Sequence, residues 1–276
     1  PRVFSNTVNI HGDKTKFTKS VFTLCDYRKN DKCPPWSLQA KQMLHDEKKK
    51  TIYYDNAVIK VYDIPILFLP KLSHPDPTVD RRSGFLVPSF SDSKNLGEGI
   101  DVSYFWALAR NKDFTLKNRL FASENPLFLG EYRHAFEKSN LILDFGYTTG
   151  YKKTSATKKS GDKSHFFSKY TKNFKSKDNS DNSIEITLEN VSNDKYLKLY
   201  KIKSNLVEYE KDTLENSFNF NRENENSFLG FKASAYETLK DGYNDKYEYI
   251  LPDITYDRNL FASNKYGSLD LTSNLN

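Results

Sequence analysis

"RRSGFLVPSFS", residues Arg81–Ser91, has the pattern of an apolar β-strand that is interrupted by a proline. Gly84–Val87 begins the apolar run, Ser89–Phe90 continues it, and Pro88 stands between them. Because proline has no backbone N–H to donate to a neighbouring strand, it is tolerated at sheet edges and bulges but not in central strands. The stretch therefore predicts a strand whose pairing is weakened at Pro88.

The sequence after this stretch alternates with the period of long β-strands. Ile100, Val102 and Tyr104 fall on one face of a predicted strand, and Glu131 and Arg133 share the polar face of a later one. An apolar-out, polar-in alternation with polar loops is typical of a membrane β-barrel. A soluble sandwich alternates too, but the strand length and the charged polar face favour a barrel.

Three regions follow from the change in strand pattern. Residues 1–75 contain short β-runs with charged turns, which predict a sandwich or half-barrel. Residues 76–83 form a connector rich in Pro, Asp and Arg, and residues 84–276 carry the longer strands. The fold class is therefore predicted to be all-β and antiparallel, with one helical turn in a loop at Asn193–Ile202, where apolar residues recur with a helical period.

The composition argues against a transmembrane helix and against a nucleic-acid partner. The chain has 276 residues, of which 28% are charged, and its mean hydropathy is −0.74. The longest apolar run, Ile64–Pro70, is far shorter than the ~18 residues of a transmembrane helix. The net charge is +6, but the lysines are mixed with Asp, Asn and Ser, which favours solvated loops and no nucleic-acid partner. Because the sequence begins at Pro1 and stops within an alternating pattern, we expect a fragment.

Residue types that carry chemistry are sparse. The five histidines lack the spacing of a metal site, and no nucleophile or phosphate-loop motif occurs, so we expect no enzyme, metal or cofactor. Cys25 and Cys33 do not form a CxxC pattern. They are two free thiols, a disulfide with each other, or partners of cysteines outside this sequence, with oxidation favoured in a periplasm.

An ordered set of motifs resembles a known family. It resembles the LptD (OstA/Imp) family of LPS-assembly outer-membrane proteins, and the motifs run through most of the chain from about Phe22 onward. The motifs that carry the resemblance are PPWSLQA (34–40), DPTVDRRSGFLVP (76–88), YFWALARNKDFTL (104–116), GEYRHAF (130–136) and YEYILPDITYD (247–257).

The resemblance implies a fold and a function. Residues 1–75 would be the end of a periplasmic β-jellyroll, and residues 84–276 the first strands of a large outer-membrane barrel. The substrate would be lipopolysaccharide, which crosses the jellyroll and a lateral gate between the first and last barrel strands into the outer leaflet. The implied partners are an LptE-like plug lipoprotein, an LptA-like periplasmic bridge and outer-membrane lipids.

The resemblance also implies roles for single residues. Pro88 matches a proline in the first gate strand, while Ser103 stands where relatives often carry a second proline. Cys25 matches a jellyroll cysteine that is bridged in the family, and Cys33 is displaced from the second one, so the pairing stays open. Arg81 and Arg82 precede the gate strand, where they contact lipid phosphates or, equally, hold the connector against Asp76 and Asp80.

Two rival classes share this strand rhythm. A porin-like protein or a barrel enzyme would lack the jellyroll and the gate proline, or would cluster Ser, His and acidic residues on its strands. A periplasmic β-sandwich that binds a soluble ligand would have fewer strands and a closed core.

Overall fold

The structure is a computed structural model that describes residues 2–23, 36–79, 81–155, 158, 160–240, 245–263 and 267–275. These residues form two compact units, Pro1–Arg82 and Ser83–Asn276, made of antiparallel strands and one short helix. The strands of the first unit are β1 (Arg2–Phe4), β2 (Thr7–His11), β3 (Lys14–Thr23), β4 (Trp36–Asp46), β5 (Thr51–Val61) and β6 (Ile64–Pro75). Those of the second unit are β7 (Gly84–Phe85), β8 (Ser89–Ser93), β9 (Gly97–Ala109), β10 (Lys112–Phe121), β11 (Leu127–Ala135), β12 (Ser139–Gly150), β13 (Ser160–Lys175), β14 (Asp181–Val191), β15 (Thr213–Asn224), β16 (Ser227–Thr238), β17 (Tyr247–Ser263) and β18 (Gly267–Leu275).

The first unit is a six-stranded antiparallel sheet. Its strand order is β1-β3-β4-β5-β6, and β2 pairs with β3. Alternate side chains of a strand point to opposite faces, and the apolar members of β4 and β5 meet in one cluster. That cluster contains Phe22, Leu38, Ala40, Met43, Ile52, Tyr54 and Ala57. The unit thus has its own apolar core on this sheet.

The second unit is a twelve-stranded antiparallel sheet in which neighbouring strands follow the order of the chain. It runs from β18 through β17, β16 and so on to β9, and both β7 and β8 pair with β9. Among the described residues, β18 is one edge and β7–β8 the other, and these two edges are not paired with each other. The prediction of an all-β, antiparallel chain is confirmed.

The two faces of this sheet differ as the alternation predicted. On one face, called here the open face, Trp106 lies opposite Phe114, and Phe114 lies opposite Tyr132. On the other, called the covered face, Asp113 lies opposite Arg133. One face therefore presents rings and aliphatic chains, and the other presents charges.

A segment of the chain lies on the covered face and explains its name. Residues 192–212, called here the inner loop, connect β14 to β15 and contain the helix α1 (Tyr196–Tyr200). The helical turn predicted within Asn193–Ile202 is confirmed. Apolar side chains of the loop form a core with residues from the sheet, and the buried members from the loop are Tyr196, Leu197, Tyr200, Ile202 and Val207. The sheet and its own loop thus make the core of the second unit.

Helices long and apolar enough to cross a membrane do not occur in the described part of the chain.

Candidate functional site

The edge strand beside β9 is broken at the position that the sequence singled out. Phe85 pairs with Tyr104, and Ser89 pairs with Asp101, so the edge contains one more residue than the opposing stretch of β9. The Leu86 N–H still donates to the Ser103 carbonyl at 2.9 Å. An extra residue in one strand of an antiparallel pair disrupts the ladder and bends that strand. The regular pairing of the edge with β9 is therefore lost between the end of β7 and the start of β8.

Pro88 lies within this interruption. It comes directly before β8 and has no N–H with which the ladder of β8 could extend towards β7. The side chains around it are solvent-exposed in this structure, with Val87 92% and Phe90 84% accessible. Few contacts hold the segment from Phe85 to Phe90, so its position depends mainly on its short ladders with β9.

Ser103 lies on the neighbouring strand, which is intact. From Gly99 to Ala107, β9 pairs with β10 without a register shift, and Ser103 is opposite Lys117. Ser103 is buried on the covered face. The structure thus puts the interruption on one strand and keeps the strand that carries Ser103 continuous.

A buried ion pair holds β9 to β10. The Asp101 carboxylate accepts two bonds from the Arg119 guanidinium, at 2.6 Å from Nε and 3.1 Å from Nη2. Both side chains are only 7% exposed. The Arg119 Nη1 also donates to the Tyr200 carbonyl of the inner loop at 2.5 Å. Two-point Arg–carboxylate pairs are geometrically specific, so this part of β9 is fixed.

A cavity of about 230 Å³ lies beside this ion pair, between the covered face and the inner loop. Leu86 and Ser103 line it from the interrupted edge, and Lys203 and Asn205 from the loop. Lys117 also lines it, and its Nζ is 3.7 Å from the Asp101 carboxylate. The cavity is therefore lined by both apolar and charged groups, and it adjoins the point where the edge ladder breaks.

The two arginines before the edge strand have different surroundings. Arg82 contacts the Thr51 hydroxyl and donates to the Lys50 carbonyl at 3.4 Å, so it packs on the turn between β4 and β5. Arg81 is exposed. Asp76, one of the predicted anchors of the connector, pairs with His45 at 2.5 Å. The other, Asp80, lies outside the described residues, as do Cys25 and Cys33.

The inner loop is the functional feature that the sequence did not reveal. His165, one of the five histidines that lack the spacing of a metal site, is buried and links Asp144 (3.0 Å) to the Tyr196 hydroxyl (3.1 Å). Its side chain lies on the same face as Glu189, which accepts from Lys211 at 2.8 Å. The helical spacing of Tyr196 and Tyr200 was the available signal, and it marked the helix but not the surface on which the helix packs.

The charged side chains of the covered face are arranged in pairs. In the described ranges, no group of three or more His, Cys, Asp or Glu side chains is arranged to hold a metal ion. The charged groups of the covered face pair with one another, as Arg133 does with Asp113 at 2.9 Å. What the site offers is a surface with one apolar and one charged face, beside a weakly paired edge.

Comparisons with known proteins agree with the motifs. The chain is 34% identical over 123 residues to the LPS-assembly protein LptD of Nitrosococcus oceani, which is 44% of this chain and 16% of that protein. It is 35% identical over 111 residues to LptD of Psychrobacter cryohalolentis, with 38% and 11% covered. To LptD of Legionella pneumophila strain Paris it is 32% identical over 104 residues, with 38% and 12% covered. No family model matches the chain.

The predicted resemblance to LPS-assembly proteins is confirmed by these relatives over about two fifths of the chain. The matched stretches amount to between 11 and 16% of the length of the curated relatives named here.

Proposed function

We propose that this chain is part of a protein that moves lipopolysaccharide to the outer leaflet of the outer membrane and releases it sideways at the edge strand β7–β8. The observation that carries the proposal is the interruption of that edge at Pro88, in a chain similar to proteins named for LPS assembly. Transport of an amphiphile requires binding surfaces and a path, and no covalent step.

The two faces of the second unit suit such a path. Its open face carries exposed rings and aliphatic chains, such as Trp106, Phe128 and Phe145, which suits contact with lipid tails. Its covered face carries paired charges, which suits contact with sugars and water. We propose that residues 84–276 are strands of an outer-membrane barrel and that the covered face lines its lumen.

The first unit contains an apolar cluster of the kind that could hold acyl chains. Its cluster around Phe22, Met43 and Tyr54 forms an apolar layer on one sheet, and burial of apolar surface is the general driving force for holding acyl chains. We propose that residues 1–75 are the end of a periplasmic jellyroll that guides these chains. Residues 76–83 would then connect the jellyroll to the barrel.

The proposed partners follow from the same similarity. They are lipopolysaccharide, outer-membrane lipids, an LptE-like plug lipoprotein and an LptA-like bridge. Arg81 and Arg82, both exposed, are the proposed candidates for a phosphate contact, and Arg82 also donates to the turn at Lys50. We also propose that Cys25 is oxidised in the mature protein, with Cys33 or another cysteine as its partner.

The rival classes gain no support from the comparisons. The three relatives described above are all LPS-assembly proteins, and neither a porin nor an enzyme is among them. No observation on the described residues favours the soluble-ligand sandwich.

The test is Pro88→Ala in the full-length protein. Alanine restores an N–H and relaxes the restricted backbone, so the edge can form a more regular ladder. A single bond is worth only about 0.5–1.5 kcal/mol, which leaves folding intact. We expect less newly delivered lipopolysaccharide at the cell surface, at unchanged abundance and unchanged heat-modifiable mobility of the protein.

The matched control is Pro126→Ala, in the turn between β10 and β11. It removes the same restriction from the unfolded chain but lies away from the edge. Delivery at the wild-type rate in both variants would overturn the role of Pro88 in release.

A further inference from the structure

We propose that Arg119 is a positioning residue that latches the inner loop onto β9, the strand that pairs with the interrupted edge. The inference rests on the proposed function for its purpose, which is to cover the lumen side of the seam, the proposed junction between the edge β7–β8 and the last strand of the barrel. Its geometry stands independently of any substrate.

Arg119 makes contacts with two separate elements. Its Nε and Nη2 donate to the Asp101 carboxylate on β9, and its Nη1 donates to the Tyr200 carbonyl on the loop. The side chain is nearly inaccessible to solvent. A planar guanidinium can donate in these directions at once, whereas the ammonium of lysine is a compact point charge on a flexible stem.

The loop depends on contacts of this kind. Its helix α1 has five residues, which is far too short to be stable alone in water. Tyr200 is the last helical residue, and its carbonyl is among those that a helix end leaves without an internal partner. A cation at a helix C-terminus satisfies that carbonyl and interacts favourably with the helix dipole.

Among the described residues there is a second cross-strand Arg–Asp pair, whose arginine makes no bond to the inner loop. Arg133 on β11 lies directly opposite Asp113 on β10, as Arg119 lies directly opposite Asp101. Arg133 bonds to Asp113 and lies near Glu131, both on strands, and its side chain is 45% exposed. The two arginines thus share the cross-strand pair, and the bond to the loop distinguishes Arg119.

Other contacts hold the loop further along the sheet. Asn205 donates to Glu131 on β11 at 2.6 Å, and the Tyr196 hydroxyl meets His165 on β13. The contact of Arg119 differs because it joins the loop to the ion pair on β9. Breaking it should free the start of the loop, near α1, without unpairing the strands.

The experiment compares hydrogen exchange, resolved by peptide, in full-length protein in detergent. The variants are Arg119→Met, Arg119→Lys, Arg133→Met and wild type. We expect peptides from residues 192–212 to exchange about tenfold faster in Arg119→Met, since a bond from a charged donor is lost. Arg119→Lys keeps a charge beside Asp101 but cannot serve both partners, so the same peptides should exchange faster while β9 and β10 stay protected.

The outcomes separate a latch from a merely structural residue. Arg133→Met should leave exchange in the loop at the wild-type rate. If Arg119→Met is poorly folded, Arg119→Lys decides, and wild-type exchange in its loop overturns the proposal. Faster exchange in β9 and β10 to the same extent as in the loop also overturns it. Because no lipopolysaccharide is present, failure here leaves the transport proposal untouched, and that proposal fails only on delivery.

Discussion

Two neighbouring strands of the second unit, β8 and β9, differ in how completely they are paired. The edge formed by β7 and β8 is interrupted around Pro88 and pairs only with β9 among the described strands. In contrast, β9 is continuous, pairs on both sides, and is held by Asp101 and Arg119. An element opens locally where few buried contacts hold it. In the proposed barrel, the weak side of the gate would therefore be the first strand alone.

The difference also clarifies the position of Ser103. The family that the sequence resembles often has a second proline at this position, and its absence would leave the gate weakened on one strand only, or weakened by other means. In this chain the strand with Ser103 keeps an unshifted ladder with β10 from Gly99 to Ala107, so it can serve as a fixed frame beside the interrupted edge. Movement of the seam would then require no change in β9.

The largest expected effect comes from breaking the Asp101–Arg119 ion pair, which holds β9 to β10. Asp101→Asn leaves the buried Arg119 without its carboxylate, which should lower the free energy of unfolding by about 3 kcal/mol. Asp113→Asn, the matched variant, removes an equally buried carboxylate but faces the more exposed Arg133, so it should cost less than Asp101→Asn. Denaturant midpoints of the full-length protein measure both. Equal losses would contradict the view that β9 is held more firmly than the strands beyond it.

A smaller effect should distinguish the covered face from the open face. A methyl group on Gly146 would lie 2.5 Å from the buried His165 ring, and one on Gly130 would lie 2.5 Å from the Phe145 ring. His165 is held between two partners, whereas Phe145 is exposed and can turn away. We expect Gly146→Ala to cost about 1–3 kcal/mol by overpacking.

Gly130→Ala should cost clearly less than Gly146→Ala in the same denaturant measurement. A larger loss for Gly130→Ala would show that the open face, and not the face under the inner loop, is the rigid side of the sheet.

The smallest effect concerns the connector just before the edge. Bonds from the Thr78 hydroxyl and N–H, with His45 nearby, hold the pKa of Asp76 below its usual range. The resulting stabilisation is therefore present above the pKa of an unfolded aspartate, about 4, and is lost as pH falls through the lower folded value. Asp76→Asn should reduce the loss of stability of the first unit on acidification. Identical pH profiles for variant and wild type would contradict this role of Asp76.

Much of the sheet was predictable because alternation is a local property. The positions of Trp106 on one face and Arg133 on the other follow from a period of two residues, and the spacing of Tyr196 and Tyr200 predicted α1. The latch was not predictable, because Arg119 and Tyr200 are 81 residues apart in sequence. Pro88 marked where the pairing of the edge weakens, but the extra residue between β7 and β8 was not predictable, since it depends on the register against β9.

The most direct test of the account measures amide exchange across the seam in the full-length wild-type protein. Peptides that cover Ser89–Ser93 should exchange at least about tenfold faster than peptides that cover Asp101–Trp106, because the edge is interrupted around Pro88 whereas β9 keeps an unshifted ladder with β10 from Gly99 to Ala107. In Pro88→Ala the edge peptide should slow towards the value for β9. Equal exchange of the two strands in the wild type would contradict the claim that the seam is weak on its first strand alone.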